Sequence, residues 1–126
     1  GKYYYHYTIE LGLGSIQIQY LLQDQAKNIW CASYAEGLTK FDGKNFTHYT
    51  TENGLCGDII WSIVEDQQGT LWMSTEEGGL CRFNGEAFIS YEGENDTTIS
   101  DGSHSIITRE GHMWFSNYED LFKYEG

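Results

Sequence analysis

Tryptophan recurs at Trp30, Trp72 and Trp114, each 42 residues from the last. A fixed period of this length restricts a chain to folds that stack one supersecondary unit on the next, because a single unit cannot bury its apolar face alone. The recurrence extends well beyond tryptophan. An apolar residue precedes each one, at Ile29, Leu71 and Met113. Gly37-Leu38 and Gly79-Leu80 follow the first two at the same distance, with Leu121 one residue early in the third. Phe41, Phe83 and Tyr124 continue the frame, and Asp42-Gly43-Lys44-Asn45-Phe46 matches Asn84-Gly85-Glu86-Ala87-Phe88.

Within one copy the pattern reads as four short strands. Ile59 to Glu65 is an apolar run, expected of a strand covered on both faces. Asp66 to Thr70 is a turn in which Gly69 is free to take positive φ. Leu71 to Thr75 is a second strand, Leu80 to Phe83 a third and Ala87 to Tyr91 a fourth, with the hairpin pair Asn84-Gly85 between the last two. No segment sustains a helical period. The abundant tyrosine, phenylalanine and tryptophan suit pleated surfaces, and the fifteen glycines supply the turns between them. The expected fold is all-β: three four-stranded β-propeller blades, four strands per period being the spacing of a blade.

The copies are permuted. Lys2 to Thr8 matches the fourth strand of a copy, residues 9–50 and 51–92 are full repeats, and 93–126 is a partial blade without its fourth strand. Three blades are too few to close a ring. Two accounts stand at this point. A homodimer would close six blades, each 2–8 strand completing the third blade of the other copy; alternatively, the remaining blades belong to a longer parent chain. The opening Gly1-Lys2-Tyr3, inside a strand pattern and without an initiator methionine, is expected of an excised or processed segment.

Composition excludes several partners. A formal net charge of −12 leaves no basic surface for a phosphate backbone or an anionic bilayer, so neither nucleic acid nor membrane contact is expected. No apolar stretch is long enough to span a membrane. Cys31, Cys56 and Cys81 have no zinc or redox spacing. Cys31 and Cys81 fall inside strand patterns, where buried free thiols are expected, with one disulfide left open.

The segment from Asn53-Gly54-Leu55 through Asp58-Ile59-Ile60-Trp61-Ser62-Ile63-Val64-Glu65-Asp66 and Gly69-Thr70-Leu71-Trp72 to Gly78-Gly79-Leu80-Cys81-Arg82-Phe83 resembles the two-component-regulator propeller repeat. The first copy departs from it at Lys27-Asn28, where the family prefers glycine, and the third at Thr108-Arg109-Glu110. The resemblance implies a propeller from the periplasmic or extracellular sensor region of a hybrid two-component system, with an oligosaccharide as the kind of ligand. Fold alone does not establish function.

What recurs belongs to the scaffold. Trp30, Trp72 and Trp114 are expected in the core between blades. Asp24 and Asp66 precede a tight turn, where a carboxylate either bonds backbone N–H groups or, as the sharper alternative, binds a cation. A site is sought among the residues that differ between copies. Trp61 stands where the other copies have Gln19 and Ser103, and Tyr20 and His104 where the middle copy has Ser62. Tyr34, Tyr118 and Glu76 fall on the turn after the second strand, and Asp58 just before the first. Trp61, Tyr20, Tyr34, Asp58, Glu76, His104 and Tyr118 are therefore the candidate ligand-binding residues, aromatic faces beside carboxylates being suited to sugar rings. Ordinary loop decoration is the plainer account of the same residues. No nucleophile motif is present and His6, His48, His104 and His112 are scattered, so no enzyme, metal or cofactor is expected. The expected function is non-enzymatic ligand binding or sensing. The alternatives are a structural or protein-interaction propeller, and a glycoside hydrolase or lyase whose site forms across an assembled ring.

Overall fold

A computed structural model of the chain describes residues 5–6, 17–76, 79–91, 104–107, 111–116 and 121–124. All regular structure among them is strand, apart from one 3-10 turn at Thr51–Asn53. Among the described residues, three antiparallel sheets follow one another in chain order. Sheet 1 runs β1 (Ile18–Gln23), β2 (Ile29–Ser33), β3 (Leu38–Phe41) and β4 (Phe46–Tyr49). Sheet 2 runs β5 (Ile60–Glu65), β6 (Leu71–Thr75), β7 (Gly79–Phe83) and β8 (Phe88–Tyr91). Sheet 3 has β9 (His104–Ile107), β10 (Met113–Ser116) and β11 (Leu121–Tyr124). Strand order equals chain order in each sheet, so every connection is a local hairpin. The strand expected over residues 2–8 lies outside the described residues, save for Tyr5 and His6.

The strand pattern read from residues 59–91 is reproduced almost residue for residue. Its turns explain why. In the turn between β5 and β6, Oδ1 of Asp66 accepts from the backbone N–H groups of Gln68 and Thr70, each at 2.9 Å, and Oδ2 accepts from the Trp72 indole at 2.8 Å. Asp24 repeats this between β1 and β2, accepting from the Asn28 N–H at 2.8 Å and from the Trp30 indole at 2.8 Å. Both carboxylates are thus committed to holding a turn and a tryptophan. Of the two readings offered by the sequence, the geometry realises the structural one. The left-handed residue each turn requires is Gly69 in one copy (φ 84°) and Lys27 in the other (φ 74°). The repeat therefore imposes this conformation even on a side chain that disfavours it.

Burial alone would push the Asp24 carboxyl up, but the hydrogen bonds from Trp30, Asn28 and the turn backbone outweigh it and hold the group below the ordinary aspartate range. A carboxyl lowered on folding contributes stability that is present above its unfolded pKa and is lost as pH falls through its folded one. The destabilisation caused by Asp24→Asn is therefore expected to be largest at neutral pH and to shrink in acid. Urea denaturation midpoints of both proteins across that range check it.

The core lies between the sheets. Trp30, Ala32 and Leu38 of sheet 1, with Tyr20, Leu22 and Tyr49, pack against Ile63, Leu71, Met73, Cys81 and Phe83 of sheet 2. Across the other face of sheet 2, Val64, Trp72 and Leu80 pack against Met113, Phe115 and Phe122 of sheet 3. Sheet 2 is covered on both faces, so its strands read as near-continuous apolar runs. Each of the three repeat tryptophans lies under a cation from its cross-strand neighbour: Lys40 over Trp30 at 5.8 Å, Arg82 over Trp72 at 5.9 Å and Lys123 over Trp114 at 5.8 Å. The recurring basic residue thus shields one face of the ring. His48 also has a scaffold role, its Nδ1 lying 3.1 Å from the Thr39 hydroxyl on the adjacent strand.

One expectation is corrected. Cys31 is a buried free thiol, but Cys81 is not: it forms a disulfide with Cys56. The 3-10 turn folds Cys56 back over β7, a proximity that strand periodicity cannot reveal.

Candidate functional site

The innermost strand of each full sheet carries a bulge at the same place in the repeat. Pairing between β1 and β2 shifts between Ile18 and Tyr20, and that between β5 and β6 shifts between Ile60 and Ser62. The extra residues are Gln19 and Trp61. A bulge releases one side chain from strict alternation and re-aims it. Both side chains are used at this boundary. The Gln19 amide donates to the Ile60 carbonyl of the next sheet. Trp61, one residue further, meets Tyr34 edge to face, with ring centroids 6.4 Å apart and planes at 87°.

Tyr34 is placed by a second repeated device. The backbone just past the second strand is tied to the residue ahead of the first: the Tyr34 N–H donates to the Gln17 carbonyl at 3.2 Å, and the Glu76 N–H to the Ile59 carbonyl at 2.9 Å. Tyr34 and Glu76 therefore hold equivalent positions at the same end of neighbouring sheets. Gly57 passes close enough to Glu76 that a Cβ on it would lie 2.7 Å from the Glu76 carbonyl oxygen. The Gly37 N–H binds the Asp58 carbonyl at 3.0 Å, strapping the approach to β5 onto sheet 1.

The seven residues singled out from the sequence separate accordingly. Trp61 and Tyr34 come together, and Glu76 stands at the equivalent of Tyr34 one sheet on. Tyr20 is half-buried and packs into the core between sheets 1 and 2. The Asp58 carboxylate accepts from the Thr51 N–H at 2.9 Å and from its hydroxyl at 3.2 Å, so it fixes the 3-10 turn. His104 begins β9 opposite Ser116. Tyr118 lies outside the described residues. Gln19 is the neighbour that sequence reasoning used only for comparison; its signal was its place beside Trp61 in the repeat.

Chemically, the pair offers an exposed tyrosine ring with a buried indole N–H behind it. Tyr34 is 49% exposed. The Trp61 indole nitrogen is buried, and no acceptor lies within hydrogen-bonding distance of it. A buried N–H without a partner carries a desolvation cost that an arriving acceptor would relieve. Among the described residues, no cluster of histidine, cysteine and carboxylate side chains has the arrangement of a metal site.

Stacked, locally connected antiparallel sheets, each sharing a face with the next and the two full ones bulged on their first strand, define this chain as an all-β repeat of propeller type. Residues 54–77 match the family model described as two component regulator propeller, so the middle copy carries that repeat, as the sequence pattern indicated. The chain is also similar to a solved extracellular domain of a hybrid two component system from B. thetaiotaomicron, with a TM-score of 0.68 and 24% identity. That match covers 86% of this chain and 16% of the other, so the chain corresponds to a small part of that domain. No curated protein matches the sequence.

Proposed function

We propose that this chain is part of an extracytoplasmic sensor propeller of a hybrid two-component system, and that it binds a small polar ligand of carbohydrate type at the Tyr34–Trp61 boundary without transforming it. The sensor reading is supported by the repeat at residues 54–77 and by the kind of domain the fold is similar to. An extracytoplasmic setting also fits the Cys56–Cys81 disulfide, since such bonds persist in oxidising compartments. The single observation behind the ligand is the convergence of an exposed tyrosine on a bulge tryptophan whose indole N–H has no acceptor. A pyranose ring presents C–H faces that suit the exposed Tyr34 ring.

The expected result in a glycan array followed by titration calorimetry is binding of at least one oligosaccharide class. Trp61→Ala should weaken it about 30-fold, the loss typical of a central aromatic anchor. Absence of binding across the panel, or unchanged affinity in Trp61→Ala, removes the ligand reading and leaves a structural or protein-interaction propeller.

A further inference from the structure

Residues 50–59 join the end of β4 to the start of β5 and belong to no strand. Single ties hold them, and those ties reach the two equivalent turns beside Trp61. On the sheet 1 side, Leu55 is buried in the core, and a Cβ on Gly37 would lie 3.4 Å from its Cδ2. The Asp58 carbonyl accepts from the Gly37 N–H at 3.0 Å. Gly37 in turn closes the Tyr34 turn, its carbonyl accepting from the Ser33 N–H and hydroxyl at 3.0 Å each. On the sheet 2 side, Gly57 lies against the Glu76 carbonyl, and the Ile59 carbonyl accepts from the Glu76 N–H at 2.9 Å.

One covalent bond fixes this segment. Cys56 lies within it and is bonded to Cys81 of β7, in the body of sheet 2. Cys81 is fully buried, whereas Cys56 is only partly covered. The bond is not part of the repeat. Gly14 and Thr98 stand in place of Cys56, and Thr39 stands in place of Cys81 in the first copy. A staple that every sheet needed would recur, as Asp24 recurs at Asp66. This one occurs in the copy whose first strand carries Trp61 at its bulge.

We infer that Cys56 and Cys81 are positioning residues of the Tyr34–Trp61 site, and that reducing their bond releases residues 55–59 and lets the Tyr34 and Glu76 turns part while the sheets stay folded. The inference deepens the ligand reading, since the site is the same, but its test needs no ligand. A dithiol can carry out the step. Its thiolate attacks the sulfur of Cys56, the less covered of the two; the S–S bond breaks, and Cys81 leaves and takes a proton. The second thiol of the reagent then displaces Cys56, which also becomes a thiol, and the reagent closes to its own disulfide. Two electrons and two protons pass to the protein. Once released, the segment keeps the buried Leu55 and isolated hydrogen bonds, which open locally at much lower cost than a strand ladder.

The test is amide hydrogen exchange followed by two-dimensional NMR on the whole chain, before and after reduction by dithiothreitol, with far-ultraviolet circular dichroism to follow the strands. On reduction the Gly37 and Glu76 amides, whose acceptors lie on the segment, are expected to exchange about tenfold faster. The Asn28 and Thr70 amides, held by Asp24 and Asp66 within their own turns, keep their rates. The Trp61 indole N–H resonance, assigned from Trp61→Phe, shifts, while those of Trp30 and Trp72, bonded to the same aspartates, stay in place. Cys56→Ser should reproduce the reduced pattern without reagent, and Cys31→Ser should leave the response to reductant unchanged. Equal acceleration at all four amides, loss of the strand signal, or unmoved Gly37, Glu76 and Trp61 overturns the inference. Where an oligosaccharide binds, reduction should weaken it about tenfold, and an unchanged affinity overturns the positioning role. A chain that binds no glycan yet shows these exchange changes loses the ligand reading and keeps this one.

Discussion

Replacing Trp72 with alanine is expected to destabilise the chain by about 3–5 kcal/mol, the largest effect of any single side chain considered. Trp72 is fully buried between sheets 2 and 3, so its removal leaves a cavity the size of an indole. It also takes away the donor held by Asp66 at 2.8 Å and the ring beneath Arg82. The carboxylate and the guanidinium would then need water as a substitute. Trp114→Ala removes the same residue type from a half-buried position and should cost less than half as much. Urea denaturation followed by far-ultraviolet circular dichroism compares the two directly. Equal losses would mean that these tryptophans act through local turn structure rather than through packing between sheets.

Breaking the Cys56–Cys81 disulfide should have the next largest effect. The bond closes a loop of 25 residues, for which the entropy of the unfolded chain gives about 3 kcal/mol. It also holds the segment after the 3-10 turn, where Leu55 is buried in the core between sheets 1 and 2 and Asp58 ties back to Thr51. Cys56→Ser, or reduction by dithiothreitol, is expected to lower the denaturation midpoint by a similar amount. Cys31→Ser, at the buried free thiol, should not change the response to reductant. A reduced protein as stable as the oxidised one would contradict the loop-closure account.

Much of this architecture was legible because the chain repeats itself. Each copy supplies its own turn signals, and an Asp-to-tryptophan spacing that recurs at 24–30 and 66–72 can be read as one device used twice. Strand boundaries followed from alternation and from the hairpin glycines, both of which act over a few residues. The role of Asp24 and Asp66 was likewise within reach, because their partners lie four to six residues away.

The candidate site was legible only in part, and the reason is range. Difference between copies pointed to Trp61 and Tyr34, and the fold brings them to 6.4 Å. The same criterion also picked Asp58, whose carboxylate holds the 3-10 turn, and Tyr20, which packs into the core. Substitution between copies marks a position as free to vary; it does not say which way the side chain points. That direction is set by the bulges at Gln19 and Trp61, which are register shifts between strands and leave no mark in the residues themselves.

The sequence by itself determined the period, the strands, their turns and the all-β class, because local backbone preference and alternation act within a few residues. Tertiary structure alone decided that Cys81 bonds Cys56, that Trp61 turns toward Tyr34, and that Tyr20 packs into the core between sheets 1 and 2. Each of these depends on which sheet comes to lie against which, and that is a property of the packed stack, not of any one repeat.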